Sequence, residues 1–201
     1  MAWIKANDPT ANMSREEYRA YREERDRELA EAEAPILEDL RSVGWEVESV
    51  WYFVNTRDAY PEALPILMRH LEKGGYPPRI MEGIGRALCV RPAIVYWDRL
   101  RKLYERAPAG GEKTGLAIAL SGSADKTKFD ELVELLDDKA LGSTRIFFLS
   151  TLVRLDRQRA LKAIIKYKDD PELAGEVARL FENAEKARKA REKRAARSRG
   201  E

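Results

Sequence analysis

The sequence predicts an all-α fold: a right-handed α-solenoid of about five stacked helix pairs, with an extra charged helix at the N-terminus. Three observations predict it. Apolar residues recur at helical spacing in short segments across residues 35–184. Equivalent segments return about every 28 to 36 residues, and turn residues separate them. The composition is 44% hydrophobic and 36% charged, which supplies a core and helices with one wet face. A helix pair of that length cannot bury its own apolar face, so it stacks on like neighbours.

Residues 1–13 read as a loose arm with a turn at Asp8-Pro9-Thr10. Ser14-Arg15-Glu16-Glu17 is a capping-box pattern, which opens a helix over 14–34 and makes Met13 a candidate start beside Met1. That helix carries five Arg and eight acids, with Glu17/Tyr21/Arg25 and Glu23/Arg27 at supporting spacings. Tyr18, Tyr21, Leu29 and Ala32 give it a thin apolar stripe. It is expected to cap the domain rather than to form a coiled-coil arm, because sustained a/d heptads are missing.

The repeat region follows over 35–184. First helices are expected at 34–40, 62–71, 94–103, 129–136 and 160–165, and second helices at 47–54, 79–89, 113–121, 145–155 and 173–181. Turns are expected at Gly44, Pro61, Gly74-Gly75, Pro77-Pro78, Pro92, Pro108 to Gly111, Gly122, Gly142 and Asp170-Pro171. Gly83, Gly85, Gly115 and Gly175 fall inside second helices, where each costs about 1 kcal/mol relative to Ala; close helix–helix approach is the expected reason. Ile146-Phe147-Phe148-Leu149 is apolar all round and belongs in the middle of the array.

Several of these segments resemble HEAT-repeat proteins, specifically short bacterial arrays related to phycobilin-lyase-type repeats. Asp170-Pro171-Glu172-Leu173 matches the opening of such a repeat. Pro78, Ile80, Glu82, Ala87 and Leu88 fit the same frame. Leu152-Val153-Arg154-Leu155 followed by Arg159-Ala160-Leu161 fits the junction and puts Arg145 at the family's arginine position, which Met81 and Ala174 occupy elsewhere. The similarity covers residues 35–182 in five degenerate units. It implies the fold and says little about function, because relatives include scaffolds, toxin-neutralising proteins, lyases and DNA glycosylases.

Candidate chemistry is sparse. The chain has one cysteine, Cys89, and one histidine, His70, so no intrachain disulfide forms and no zinc ligand set is evident. Cys89 reads as a small buried hydrophobe in Leu88-Cys89-Val90. His70 ends a first helix, where a cation suits the dipole. No phosphate loop, dinucleotide fingerprint or nucleophile elbow is present. The sequence therefore predicts no cofactor, no metal and no enzymatic activity. A HEAT-like glycosylase would stack an extruded base on Tyr96-Trp97-Asp98-Arg99, but Trp97 shares a helical face with Leu100 and Tyr104 and is expected in the core. No apolar run reaches the roughly 20 residues that span a bilayer, and residues 1–13 have no secretory pattern; a cytoplasmic protein without a membrane partner is expected.

Binding is the better expectation. Trp51-Tyr52-Phe53 cannot share one helical face, because successive residues point about 100° apart. Trp51 and Val54 are expected to pack inward, with Tyr52 at the end of the array, and Trp51 also reads as a possible aromatic anchor. Second helices should line a concave face. Its expected binding residues are Trp51, Asn55, Arg79, Glu82, Arg86, Lys113 and Arg145, with Glu48 beside them. Their mixed signs suit a protein partner, so a scaffold, adaptor or immunity-type neutraliser is expected. The tail, 185–201, suggests an alternative partner, nucleic acid or the ribosome, through Lys186, Arg188, Lys189, Arg191, Lys193, Arg194, Arg197 and Arg199. The last sixteen residues carry eight of these cations against Glu192 and Glu201, a net +6, which leaves −4 on the rest of a chain of net +2.

Overall fold

The computed structural model describes residues 10–199, with side chains described as far as Arg194. Most of the expected arm therefore lies outside the described residues, as do the side chains of Arg197 and Arg199. The described chain is all-helical and contains no strand. Its α-helices are α1 (Arg15–Arg41), α2 (Tyr52–Asn55), α3 (Leu64–Lys73), α4 (Pro78–Ala87), α5 (Trp97–Arg106), α6 (Gly111–Ser123), α7 (Phe129–Asp137), α8 (Ile146–Leu155), α9 (Arg157–Ile164) and α10 (Ala174–Arg199). None of them is long and apolar enough to cross a membrane.

α1 opens as the capping box dictates. The Glu17 N–H donates to Ser14 Oγ at 3.3 Å, and the Ser14 N–H donates to Glu17 Oε2 at 2.7 Å. The expected boundary between residues 34 and 35 is corrected: one 27-residue helix runs through Pro35. Pro35 and Glu31 are both exposed, so the Glu31 carbonyl that Pro35 cannot pair is open to solvent. Glu33, Ile36 and Leu40 are the buried residues of α1. Its N-terminal half stands clear, with Tyr18 44% exposed.

The second helix expected over 47–54 shortens to α2. Glu33 explains why: its buried carboxylate accepts the Val50 N–H at 2.7 Å and the Ser49 hydroxyl at 3.0 Å, which ties the approach to α2 down as a loop. The helix expected over 94–103 divides into a 3₁₀ segment, Arg91–Tyr96, followed by α5. Gly44, Gly74, Gly75, Gly110 and Gly142 take positive φ at the turns.

The helices pack in a regular order. Each even-numbered helix lies against the next one: α2 on α4, α4 on α6, α6 on α8 and α8 on α10. α3 packs on α4, α5 on α6, and α7 and α9 on α8. The closest approach is between α4 and α6, where a Cβ on Gly85 would sit 2.5 Å from the Gly115 carbonyl carbon. Gly122 is a helix residue rather than the expected turn; a Cβ there would come within 2.7 Å of the Cys89 backbone. Gly175 departs from expectation, since nothing lies within 4 Å of its Cβ position. α8 contacts four other helices. Phe148 and Leu149 are fully buried in it, while Ile146 and Phe147 stay half-buried.

Successive odd-numbered helices are joined differently, by charge. Arg69 on α3 pairs with Asp39 on α1 at 2.7 Å, and Arg99 on α5 with Glu72 on α3. Arg101 on α5 reaches Glu131 and Glu134 on α7 at 3.3 and 3.0 Å, and Arg159 on α9 reaches Asp130 on α7. Lys166 follows, at 2.7 Å from Asp137.

Candidate functional site around Trp51

Five of the seven expected binding residues gather around α2 and α4. Phe53, rather than Trp51, is the ring that turns fully inward, with 2% exposure. It packs edge-on to Trp45 at 5.3 Å and lies 4.8 Å from Tyr60. Tyr60 fastens this aromatic group to α4 by donating its hydroxyl to the Ala87 carbonyl at 2.8 Å. Burial pushes its pKa up to about 12, so it stays a donor.

With Phe53 committed to the core, helical geometry leaves its neighbours outside. Trp51 and Val54 are half-buried and Tyr52 is exposed. The Trp51 indole lies over Gly83, where a Cβ would come 2.9 Å from Nε1. That N–H is shielded from solvent and makes no hydrogen bond. The guanidinium carbons of Arg79 and Arg86 sit 5.7 and 6.0 Å from the indole centroid, within cation–π range. Glu82 orients Arg86 through a 2.8 Å bond from its Nε. Asn55 donates to the Trp51 carbonyl at 3.0 Å and so closes α2 rather than facing a partner.

Two shallow depressions flank α2. One, of about 600 Å³, is walled by Glu46, Glu48, Ser49, Trp51, Tyr52 and Asn55. The other, of about 430 Å³, is walled among others by Arg57, Asp58, Arg86, Cys89 and Ile118. Tyr52, which lines the first, donates its hydroxyl at 3.4 Å to Asp58, which lines the second.

Lys113 and Arg145 do not join this surface, and their expected role is corrected. Arg145 is 2% exposed. It donates to the carbonyls of Gly142 at 3.0 Å and Leu136 at 2.8 Å, to Glu172 at 2.7 Å and to Asp170 at 3.3 Å. Lys113 is buried and donates to the Ala107 carbonyl at 3.1 Å. Each cation begins an even-numbered helix and satisfies an orphan carbonyl at the end of the helix before it. A signal was present: a cation in the first turn of a helix faces the positive end of the dipole and needs a compensating acceptor. Burial pushes the Asp170 carboxyl up, but the Glu172 N–H and the Arg145 charge hold it below the usual carboxylate range.

The remaining candidates resolve in the same way. Trp97 is core, with its indole N–H donated to Glu131 at 2.5 Å. That indole is unavailable to stack an extruded base. His70 is buried between Asp39, 2.8 Å from Nε2, and the Tyr76 hydroxyl, 2.6 Å from Nδ1. Asp39 is held below the ordinary carboxylate range by the His70 hydrogen bond. Cys89 is exposed rather than buried; it follows the end of α4, and one side of it borders Gly122. Partial burial still pushes its thiol pKa up, against Arg154 and Arg86. The tail continues α10 as one helix to Arg199, and Lys186, Arg188, Lys189, Arg191, Lys193 and Arg194 are exposed on it. Lys186, Arg188 and Lys189 are paired with Glu182, Glu185 and Glu192.

Comparison with family models, curated proteins and solved structures returns no match.

Proposed function

We propose that this chain is a non-enzymatic protein-binding scaffold, adaptor or immunity-type neutraliser, built as a right-handed α-solenoid of HEAT-like helix pairs. The uninterrupted packing of even-numbered helices supports the solenoid reading. So does the recurrence of ion pairs between odd-numbered helices 27 to 33 residues apart. Close approach in the even row and charged bridging in the odd row favour curvature with the second helices inside.

One observation carries the functional reading: a half-exposed indole beside two guanidinium groups, with an exposed tyrosine next to it. Tryptophan, tyrosine and arginine dominate the energetics of protein interfaces. The ring offers apolar area, and the arginines suit carboxylates on the partner. Arg79 makes no ion pair among the described residues, so its charge is available for one.

The test is capture of a partner by tagged protein in the presence of nuclease, comparing wild type with Arg79→Glu/Arg86→Glu. One stoichiometric protein recovered by wild type and lost at least tenfold by the variant is the expected result. Equal recovery by both rejects this face.

A further inference from the structure

The charges of the chain are segregated along it. Residues 14–62 contain fourteen acids and seven arginines, a net −7, whereas residues 186–201 carry +6. At the acidic end, the depression beside α2 holds Glu46 and Glu48, both exposed and without an ion pair among the described residues. The Tyr52 ring, 43% exposed, supplies an aromatic wall. At the basic end, Arg191, Lys193 and Arg194 are exposed on α10 and likewise lack an ion pair among the described residues.

We propose that the basic C-terminal segment of α10 docks into the Glu46/Glu48/Tyr52 depression of a second copy of this chain. Arginine and lysine side chains fit such a site twice over, as ion-pair donors to the carboxylates and as cations over an aromatic face. The depression shares Trp51 and Tyr52 with the partner-binding face but is tested at Glu46 and Glu48, whereas that face is tested at Arg79 and Arg86, so the two readings can fail separately. Within one chain α10 packs on α8, whereas the depression lies beside α2, which packs on α4, so tail and depression belong to opposite ends of the packing order. Tail-to-tail pairing of two α10 segments is disfavoured, since cation would face cation. The contact is head to tail, and such contacts propagate rather than close unless the rotation brings them into a ring.

The test is the molar mass of nuclease-treated full-length protein by light scattering, over a concentration series at low and high salt. The expected result is a mass that rises above 23.0 kDa with concentration at low salt and returns to the monomer as salt screens the pairs. Glu46→Lys/Glu48→Lys should weaken association at least tenfold, and so should Arg191→Glu/Lys193→Glu/Arg194→Glu. The two sets combined in one chain should restore it. All five positions are exposed, and circular dichroism checks that each variant is folded. A constant 23.0 kDa at low salt overturns the proposal. So does association that only one of the two variants impairs, a combined variant that stays monomeric, or extra mass found only in a parallel sample without nuclease, which would make nucleic acid the occupant of the tail.

Discussion

The even-numbered and odd-numbered helices meet their like in opposite ways. α4 and α6 approach until backbone touches backbone, and the contact is written in absent side chains, Gly85 against Gly115. α3, α5, α7 and α9 are joined by long charged side chains, as in Arg99–Glu72 and Arg101–Glu134. The first kind of contact is short-ranged and intolerant of added volume. The second spans a wider gap, is wet and is screened by salt. In the curved stack we propose, the even-numbered row would be the narrow inner seam and the odd-numbered row the broad outer one. Arg145 is the exception, an ion pair drawn into the interior where an even-numbered helix begins.

That exception carries the largest predicted effect. Arg145→Met removes the cation from buried Asp170 and leaves the Leu136 and Gly142 carbonyls without a donor. The expected loss is about 3–5 kcal/mol, the range for one partner removed from a buried pair. Urea denaturation measures it. The pH dependence sharpens the point. Asp170 and Asp39 are held below their ordinary range, so their contribution is fully present above about pH 4 and is lost as pH falls through the lower folded values. Wild type should therefore lose stability on acidification below about pH 4, and Arg145→Met should lose less there, because its Asp170 keeps the Glu172 N–H but lacks the Arg145 charge that helps to depress its pKa.

Next in size is the glycine seam. Gly85→Ala forces a methyl to 2.5 Å from the Gly115 backbone, which cannot swing aside as a side chain would. The expected cost is about 1–3 kcal/mol, the range for overpacking. Gly175→Ala is the matched control. With nothing within 4 Å, it should stabilise by about 0.4–1 kcal/mol through the unfolded chain. Equal effects at the two positions would remove the distinction between the seam and an open helix face.

These residues also mark how far the sequence alone could be read. The all-helical class and the reason for Gly85 and Gly115 were legible, because each leaves a local trace in apolar spacing or in an unusual residue inside a helix. Gly175 and Gly122 carry the same trace and have different meanings, since glycine does not say which neighbour approaches. Pro35 reads as a boundary and sits inside α1, because the carbonyl it leaves unpaired is open to solvent. Within the site, Trp51, Arg79, Glu82 and Arg86 were legible as a group from their places on second helices. Arg145 and Lys113 share those places and turn inward, and what decides it is a set of carbonyls and acids three to twenty-seven residues away. Direction of burial is a tertiary property that helical periodicity reports only for apolar side chains.

The smallest predicted effect tests the outer row. Arg99 bridges to Glu72 through two bonds, and the Arg99 hydrogen bond draws the Glu72 carboxyl below its ordinary range. Both side chains remain well exposed, at 48% and 37%. Water and salt therefore take most of what the pair would contribute, and holding two long side chains in one geometry costs entropy. Arg99→Met should cost only about 0.2–1 kcal/mol, less at high salt than at low. Arg101, which bridges two acids on α7, should show a larger salt dependence than Arg99, because a network loses several screened terms at once. If Arg99→Met cost as much as Gly85→Ala and did so equally at both salt concentrations, the outer row would be held by packing like the inner one. The contrast between the two rows, and the curvature argued from it, would then fail together.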